Sequence, residues 1–324
     1  MAIPSLAMIP SGYKDGKVYS VLPSNGDGDF TFSRGSSATR VNQDGLIETV
    51  AGDTPRLDYS DGSCPSLLLE PQSTNLYLNS ETLSTQSNTT SASTYTVSFY
   101  GTGTITFSGT HTGTLVGTAA DERVSATFTA TSGTLVSTVS GNCEKSQLEE
   151  QSFATSYIPT SGAISTRLAD VCEGVSNNIN NFGTSNFSLF MEFFIKEGYK
   201  ARIKKMQTWT SRGYGLFINS YGLRGRIFGD SQIDTSYVGI GSVVNNSKNK
   251  ALMVVDRDLN TVTIYSNGVN VHSQSIASIA GDSLDNTAPL EFQNAAGSTE
   301  AGLIDGFRIY DTALSDQEAI ALTQ

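Results

Sequence analysis

The chain has 324 residues, with 20 Lys plus Arg against 31 Asp plus Glu, a formal charge of -11 and a pI near 4.6. Only 16% of residues are charged, and 43 Ser, 36 Thr and 31 Gly take their place, a composition that favours strands and turns over helices. The acidic balance argues against a nucleic-acid binder, which needs clustered Lys and Arg to displace counterions. No stretch has the length of a membrane span, and this many residues predict two or three domains rather than one.

The first residues carry no basic group ahead of their apolar stretch and include Pro4 and Pro10, so they lack the charged and helical regions of a secretion signal. From Met1 to about Glu81 the text is mixed, with Gly-rich turns such as Asn25-Gly26-Asp27-Gly28-Asp29. From Thr82 to Asn142 the only charged residues are Asp121, Glu122 and Arg123. There apolar residues alternate with Thr or Ser, as in Val97 and Phe99, Ile105 and Phe107, and Val124, Ala126 and Phe128. Glycines punctuate the runs at 101, 109, 113, 117, 133 and 141. Alternation with turn residues at this spacing predicts a small antiparallel sandwich or jelly roll.

After about Ser161 charge returns and the strands lengthen: Phe187 to Ile195, Ala251 to Val255 and Leu303 to Tyr310. Asn267-Gly268 predicts a two-residue hairpin turn, pairing Ser266 with Val269, Ile264 with Val271 and Val262 with Ser273. His272 then falls on the outer face beside Thr263. Ser315 followed by Glu318 predicts a capping box opening a short helix, with Ala319, Ile320 and Leu322 packing inward.

Catalytic signatures are sparse. Only His111 and His272 could serve a nucleophile pair, and neither a Gly-x-Ser-x-Gly elbow nor a phosphate-cradling glycine loop occurs. Asn25, Asp27 and Asp29 open like a calcium loop, but Phe30 and Ser36 stand where Gly and Glu are required. Cys64, Cys143 and Cys172 fit no disulfide framework or metal knuckle and are expected as small buried hydrophobes. The expectation is no catalytic residue, no cofactor and no metal. Asp230 with Asp234, and Asp256 with Asp258, can each share a strand face, either as a carboxylate pair in a groove or as a solvated surface.

One segment runs against the acidic background. Lys196, Lys200, Arg202, Lys204, Lys205, Arg212, Arg224 and Arg226 share thirty-one positions with a single acid, Glu197, and with Tyr199, Trp209, Tyr214, Phe217 and Tyr221. Aromatic rings beside Arg suit a glycan groove or a docking patch; the alternative is an exposed loop and strand whose aromatics are half core. The candidate glycan- or partner-binding residues are Trp209, Arg212, Tyr214, Tyr221 and Arg224.

The run Ile9-Pro10-Ser11-Gly12-Tyr13-Lys14-Asp15-Gly16-Lys17-Val18-Tyr19-Ser20-Val21-Leu22-Pro23, continued by Gly28-Asp29-Phe30-Thr31-Phe32-Ser33-Arg34-Gly35-Ser36-Ser37-Ala38-Thr39-Arg40-Val41-Asn42, resembles structural proteins of tailed bacteriophages. Leu67-Leu68-Leu69-Glu70-Pro71-Gln72-Ser73-Thr74-Asn75-Leu76 and Ser152-Phe153-Ala154-Thr155-Ser156-Tyr157-Ile158-Pro159-Thr160 are similar to the same family. Gly306-Phe307-Arg308-Ile309-Tyr310-Asp311-Thr312-Ala313-Leu314-Ser315 is similar to the last strand and helix of laminin-G-like domains. The resemblance implies an all-β virion protein in three parts. These are an attachment segment over 1–81, a small jelly roll resembling a carbohydrate-binding module over 82–159, and a concanavalin-A-like, laminin-G-like sandwich with a short helix over 160–324.

The function so implied is a non-enzymatic tail or head fibre, located in the virion, with lectin-like domains that contact host-surface polysaccharide during adsorption. Its partners would be other virion proteins (capsid, portal or tail) and itself as a homotrimer, with neither nucleic acid nor membrane insertion. A capsid decoration protein that stabilises the shell is the alternative, and a polysaccharide depolymerase using Asp230 or Asp234 the second.

Overall fold

The computed structural model describes residues 2–62, 64–174, 180–196, 198–208, 210–219, 221–292 and 301–324. They form an all-β protein with one α-helix, Asp316–Thr323, among the described residues. One hydrogen-bonded path of strands carries most of the chain. From one end it runs Gln232–Asp234, Gly222–Phe228, Gly213–Asn219, Ala201–Lys205, Glu291–Phe292, Val171–Gly174 and Phe30–Ser33. It continues through Lys17–Leu22, Leu6–Lys14, Gly302–Tyr310, Phe187–Ile195, Ser247–Asp256, Thr261–Ser266 and Val269–Ser275.

This path folds back on itself. A Cβ on Gly225, near one end, would stand 2.9 Å from Met253 Sδ and 3.2 Å from the Ile264 side chain, near the other. The two halves therefore face each other as a sandwich over one core that includes Met8, Phe30, Met191, Leu216, Met253, Ile264 and Phe307. The segment 1–81, expected as a separate attachment part, supplies strands to this sandwich. Leu6, Ala7 and Met8 pair with Ile309, Arg308 and Phe307, Phe30–Ser33 pairs with Val171–Gly174, and Ser66–Leu69 pairs with Gly302–Tyr310. The physical reason is edge satisfaction: without these strands the two halves would present open edges at the middle of the path.

The alternating Thr-rich stretch folds as expected into a small two-sheet sandwich. Thr94–Tyr100 lies between Arg123–Thr129 and Glu144–Glu149, and Thr104–Gly109 and Gly133–Ser140 lie between Gly113–Val116 and Gln86–Thr90. Its separate core includes Tyr77, Tyr95, Val97, Phe99, Ile105, Phe107, Phe128, Leu135 and Leu148. Gly109 turns at φ 94°, and a Cβ there would meet the Thr134 carbonyl at 2.1 Å, so only glycine serves that corner. The small sandwich is an insertion: Ser73–Asn75 before it pairs with Ser165–Arg167 after it.

Two local expectations change. The Asn267-Gly268 hairpin forms, but a bulge between Ile264 and Tyr265 in the register sets Ile264 opposite His272 and Val262 opposite Gln274. The bulge lets half-buried Val271 pack on the main core, so His272 sits beside Ile264, with Nε2 3.2 Å from Gln274 Oε1. Cys143 and Cys172 are buried, whereas Cys64 is exposed in a loop. The capping box is present: Ser315 accepts from the Glu318 amide, and the Glu318 side chain accepts from Ser315. The helix packs Ala319 and Leu322 against Phe190, Leu252, Tyr265 and Tyr310.

Because residues 6–33 and 66–69 complete the large sandwich, a fragment limited to residues 174–320 should be insoluble or lack a cooperative thermal transition, while the full chain melts cooperatively. Circular dichroism melts of the two proteins check this.

Candidate functional site

Three arginines lie almost wholly out of solvent: Arg34 and Arg167 are 1% exposed and Arg56 0%. Burying a charge is tolerated only where ion pairs and hydrogen bonds replace water. Asp170 accepts from Arg34 at 2.9 Å and from Arg56. Glu70 accepts from Arg56 at 2.8 Å, from the Ser156 amide at 2.7 Å and from the Tyr199 hydroxyl at 3.1 Å, with Arg167 3.0 Å away. Arg167 also donates to Thr155 Oγ1 at 3.1 Å, and Thr155 passes its own proton to Glu149. Burial alone would raise Glu70, but Arg167 and Arg56 hold it far below the ordinary glutamate range. This layer ties the Arg34–Glu70 segment, the inserted sandwich and the return strand at Arg167–Asp170 into one piece.

Over it opens a cleft of about 500 Å³ lined by residues of all three regions, among them Arg40, Asp58, Tyr100, Arg123, Lys196 and Tyr199. That size is usual for a small-ligand site. Tyr100 and Arg123 are cross-strand neighbours on the insertion, with the guanidinium 6.0 Å from the ring centre. Arg123 is fixed by the Thr155 carbonyl at 2.6 Å and Ser98 Oγ at 2.8 Å. From the opposite wall Lys196 donates to Ser60 Oγ at 2.6 Å and lies 5.8 Å from the Tyr199 ring centre. A second cleft of about 550 Å³ shares Tyr199 and Asn246 with the first and reaches Tyr221. Together they form a polar groove with aromatic rings along it.

The residues singled out from the basic segment do not converge. Trp209 lies outside the described residues. Tyr214 is buried in the core, its hydroxyl donating to the Asn180 carbonyl at 2.8 Å and its ring 4.8 Å from Phe187, so no ligand reaches it. Arg212 is ion-paired with Asp230 at an exposed turn. Arg224 is bound to Asp234, with Nε 2.8 Å from Oδ1, and Arg226 Nη2 lies 3.3 Å from Asp234 Oδ2. Tyr221 is 73% exposed at the opposite end of its hairpin from Tyr214 and, among the described residues of the five, it alone lines the groove. Four of the eight basic residues of the island, Lys204, Arg212, Arg224 and Arg226, are thus ion-paired with acids that follow it, Asp230, Asp234 and Glu291. Tyr100 and Arg123 escaped notice because their partners across the cleft stand about 100 residues away; Arg123 as the lone basic residue of its stretch was the available signal.

The other carboxylates fall into place. Burial pushes Asp234 up, but Arg224 and the Ser236 amide outweigh it and hold the group below its ordinary value, the wrong direction for a general acid. Asp256 Oδ1 accepts from the amides of Asp258 and Leu259 and forms a turn. Asn25 and Asp27 likewise bond to each other. Among the described residues no group of three or more His, Cys, Asp or Glu is arranged to hold a metal ion. Asp305 differs: burial raises it to about 6, offset in part by Ser66 and Lys248 and reinforced by Asp61. Ser66 Oγ contacts both Asp61 and Asp305, and one hydroxyl proton cannot serve two carboxylates.

Residues 174–320 match the family model of the concanavalin A-like lectin/glucanases superfamily, laminin G type. The C-terminal sandwich has a concanavalin A-like fold. Among solved structures, the chain is similar to the CBM40 module of the Ruminococcus gnavus IT-sialidase, solved with alpha2,3 sialyllactose, at 14% identity over 44% of this chain and 85% of that one, with a TM-score of 0.37. It is also similar to the binding domain of Paraclostridial Mosquitocidal Protein 1, at 20% identity over 47% and 40% of the two chains, again with a TM-score of 0.37. No curated protein matches the chain in sequence. The matched family region begins where the strand Val171–Gly174 ends, so the concanavalin A-like domain here is completed by strands from outside it.

Two predictions follow from these charges. Glu70→Gln leaves Arg56 and Arg167 short of one negative charge and should cost about 3–5 kcal/mol in denaturant unfolding. The pH profile should have two limbs. Glu70, depressed in the fold, stabilises above its unfolded value of about 4.3, and this is lost on acidification. Asp305, raised in the fold, contributes fully below its unfolded value of about 3.9, and that contribution disappears as pH rises through 6. Asp305→Asn should remove this loss, on the order of 2–3 kcal/mol, seen as a urea midpoint that no longer falls between about pH 4 and 7.

Proposed function

We propose that this chain is a non-enzymatic, lectin-like surface component of a tailed-bacteriophage virion, a tail or head fibre that contacts host-surface glycans during adsorption. The observation that carries the glycan reading is the groove. Tyr100, Tyr199 and Tyr221 supply rings and Arg123, Lys196 and Asn246 supply directional hydrogen-bonding groups, with Tyr199 and Arg123 tied to the arginine layer through Glu70 and the Thr155 carbonyl. Ring faces beside fixed polar donors are what sugar recognition requires, and the concanavalin A-like domain that forms one wall agrees with it.

Binding without turnover is favoured because Asp58, the carboxylate lining the cleft over the arginine layer, already accepts from the Val41 amide at 2.9 Å and from the Ser60 amide at 2.9 Å. The virion assignment rests on the sequence blocks at 9–42, 67–76 and 152–160. Those blocks carry Arg34, Glu70, Thr155 and Ser156, which contribute to the arginine layer alongside Arg56, Glu149, Arg167 and Asp170 from outside them. A shell-stabilising role is the second reading, favoured by Ile9, Tyr19 and Val21, which are 46%, 38% and 50% exposed on the N-terminal hairpin.

On a glycan array the full-length protein should bind host-surface polysaccharides, and Tyr100→Ala should weaken that binding about tenfold or more. Unchanged binding by the variant removes the groove as the site. Mass spectrometry and reconstruction of purified particles should place the chain on a fibre; its absence from particles ends the virion reading.

A further inference from the structure

The groove carries a charge imbalance that narrows its ligand. Of the cations lining the cleft over the arginine layer, Arg40 is ion-paired with Glu48. Arg123 and Lys196 are different: among the described residues neither stands within ion-pair distance of a carboxylate. Arg123 spends its contacts on a carbonyl and a serine hydroxyl, and its Nε is buried without a partner. Lys196 donates to Ser60 Oγ. Burial pushes the Lys196 ammonium down, and Arg123 pushes the same way, while Asp58, Glu70 and Asp61 act against this from beyond contact distance. Asp58 turns its oxygens to the Val41 and Ser60 amides.

Two partly desolvated cations in one concavity, in a chain of net charge -11, lack the compensation that such groups normally have. We propose that the cleft recognises an acidic glycan, with a carboxylate or sulfate of the sugar held between the Arg123 guanidinium and the Lys196 ammonium and the sugar ring beside Tyr100. The inference rests on the glycan reading above and adds the charge of the ligand. Arg123 keeps donors free after its two protein bonds, and a guanidinium fixed at both ends meets a planar anion with little loss of freedom. The continuation of the groove past Asn246 to Tyr221 accommodates the rest of an oligosaccharide, which a site for a lone anion would not need.

The test titrates the full-length protein by calorimetry with oligogalacturonate, a sulfated dextran, neutral dextran and poly-glutamate. Either acidic glycan should bind at least tenfold more tightly than neutral dextran, and the stronger of the two identifies the anionic group. Arg123→Gln and Lys196→Met, which sit on different sandwiches, should each lower that affinity about ten- to a hundredfold. Any neutral-glycan binding should fall far less than acidic-glycan binding, thermal midpoints should stay near wild type, and Arg123→Lys should recover part of the loss. Equal binding of neutral and acidic glycans, indifferent to both variants, overturns the acidic-ligand inference and leaves the glycan reading standing. Absence of binding to every glycan overturns both. Poly-glutamate binding as tightly as oligogalacturonate overturns the inference in favour of an acidic peptide.

Discussion

Everything in this molecule hangs on three guanidinium groups placed where water cannot reach them. Arg34, Arg56 and Arg167 come from stretches up to 133 positions apart in sequence, and they share Asp170 and Glu70 directly and Glu149 through Thr155. Replacing such a layer wholesale with hydrophobic side chains need not cost stability, but removing one member strands the others. The layer therefore acts as a specification. It permits only the arrangement in which the N-terminal segment, the inserted sandwich and the return strand meet at one set of distances. The cleft inherits its geometry from that requirement, because Tyr199 and Ser156 belong to both.

Local grammar in the sequence was a sound guide to local structure. Alternation of apolar residues with Thr and Ser located the inserted sandwich, the glycines at 101, 109, 133 and 141 marked its corners, and Ser315 with Glu318 opened the helix. Each of these is decided within a few residues by backbone conformation or by a side chain bonding its own turn. The association of residues 1–81 with the last strands was not legible, since nothing in Leu6 to Met8 specifies Phe307 to Ile309 as partners. The hairpin register failed by one residue because Val271 gains more by reaching the main core than by regular pairing.

The same distinction explains the site. A run of basic residues in sequence suggested a positive surface, yet strands place alternate residues on opposite faces and bring distant acids alongside, so Arg212, Arg224 and Arg226 end in ion pairs. Arg123, which follows two acids in sequence, stands among the described residues outside ion-pair distance of any carboxylate. Sequence density of charge and electrostatic potential are different quantities, and in an all-β protein they can be almost uncorrelated. Tyr214 teaches the corresponding lesson for aromatics: beside Phe182 and Phe187, a ring in a binding-rich segment serves as core.

The closure of the large sandwich also fixes the order in which the chain can mature. The first strand pairs with the last, nearly 300 positions later, so during synthesis Leu6–Lys14 must wait, unpaired along that edge, until Gly302–Tyr310 has left the ribosome. The inserted sandwich, whose contacts are sequence-local by comparison, can fold while the outer domain is still incomplete, and contacts that close long loops form slowly. The nascent chain is therefore a folded middle flanked by two unfinished halves, and the interval before they join is when exposed strand edges are most open to capture by another copy or by a chaperone.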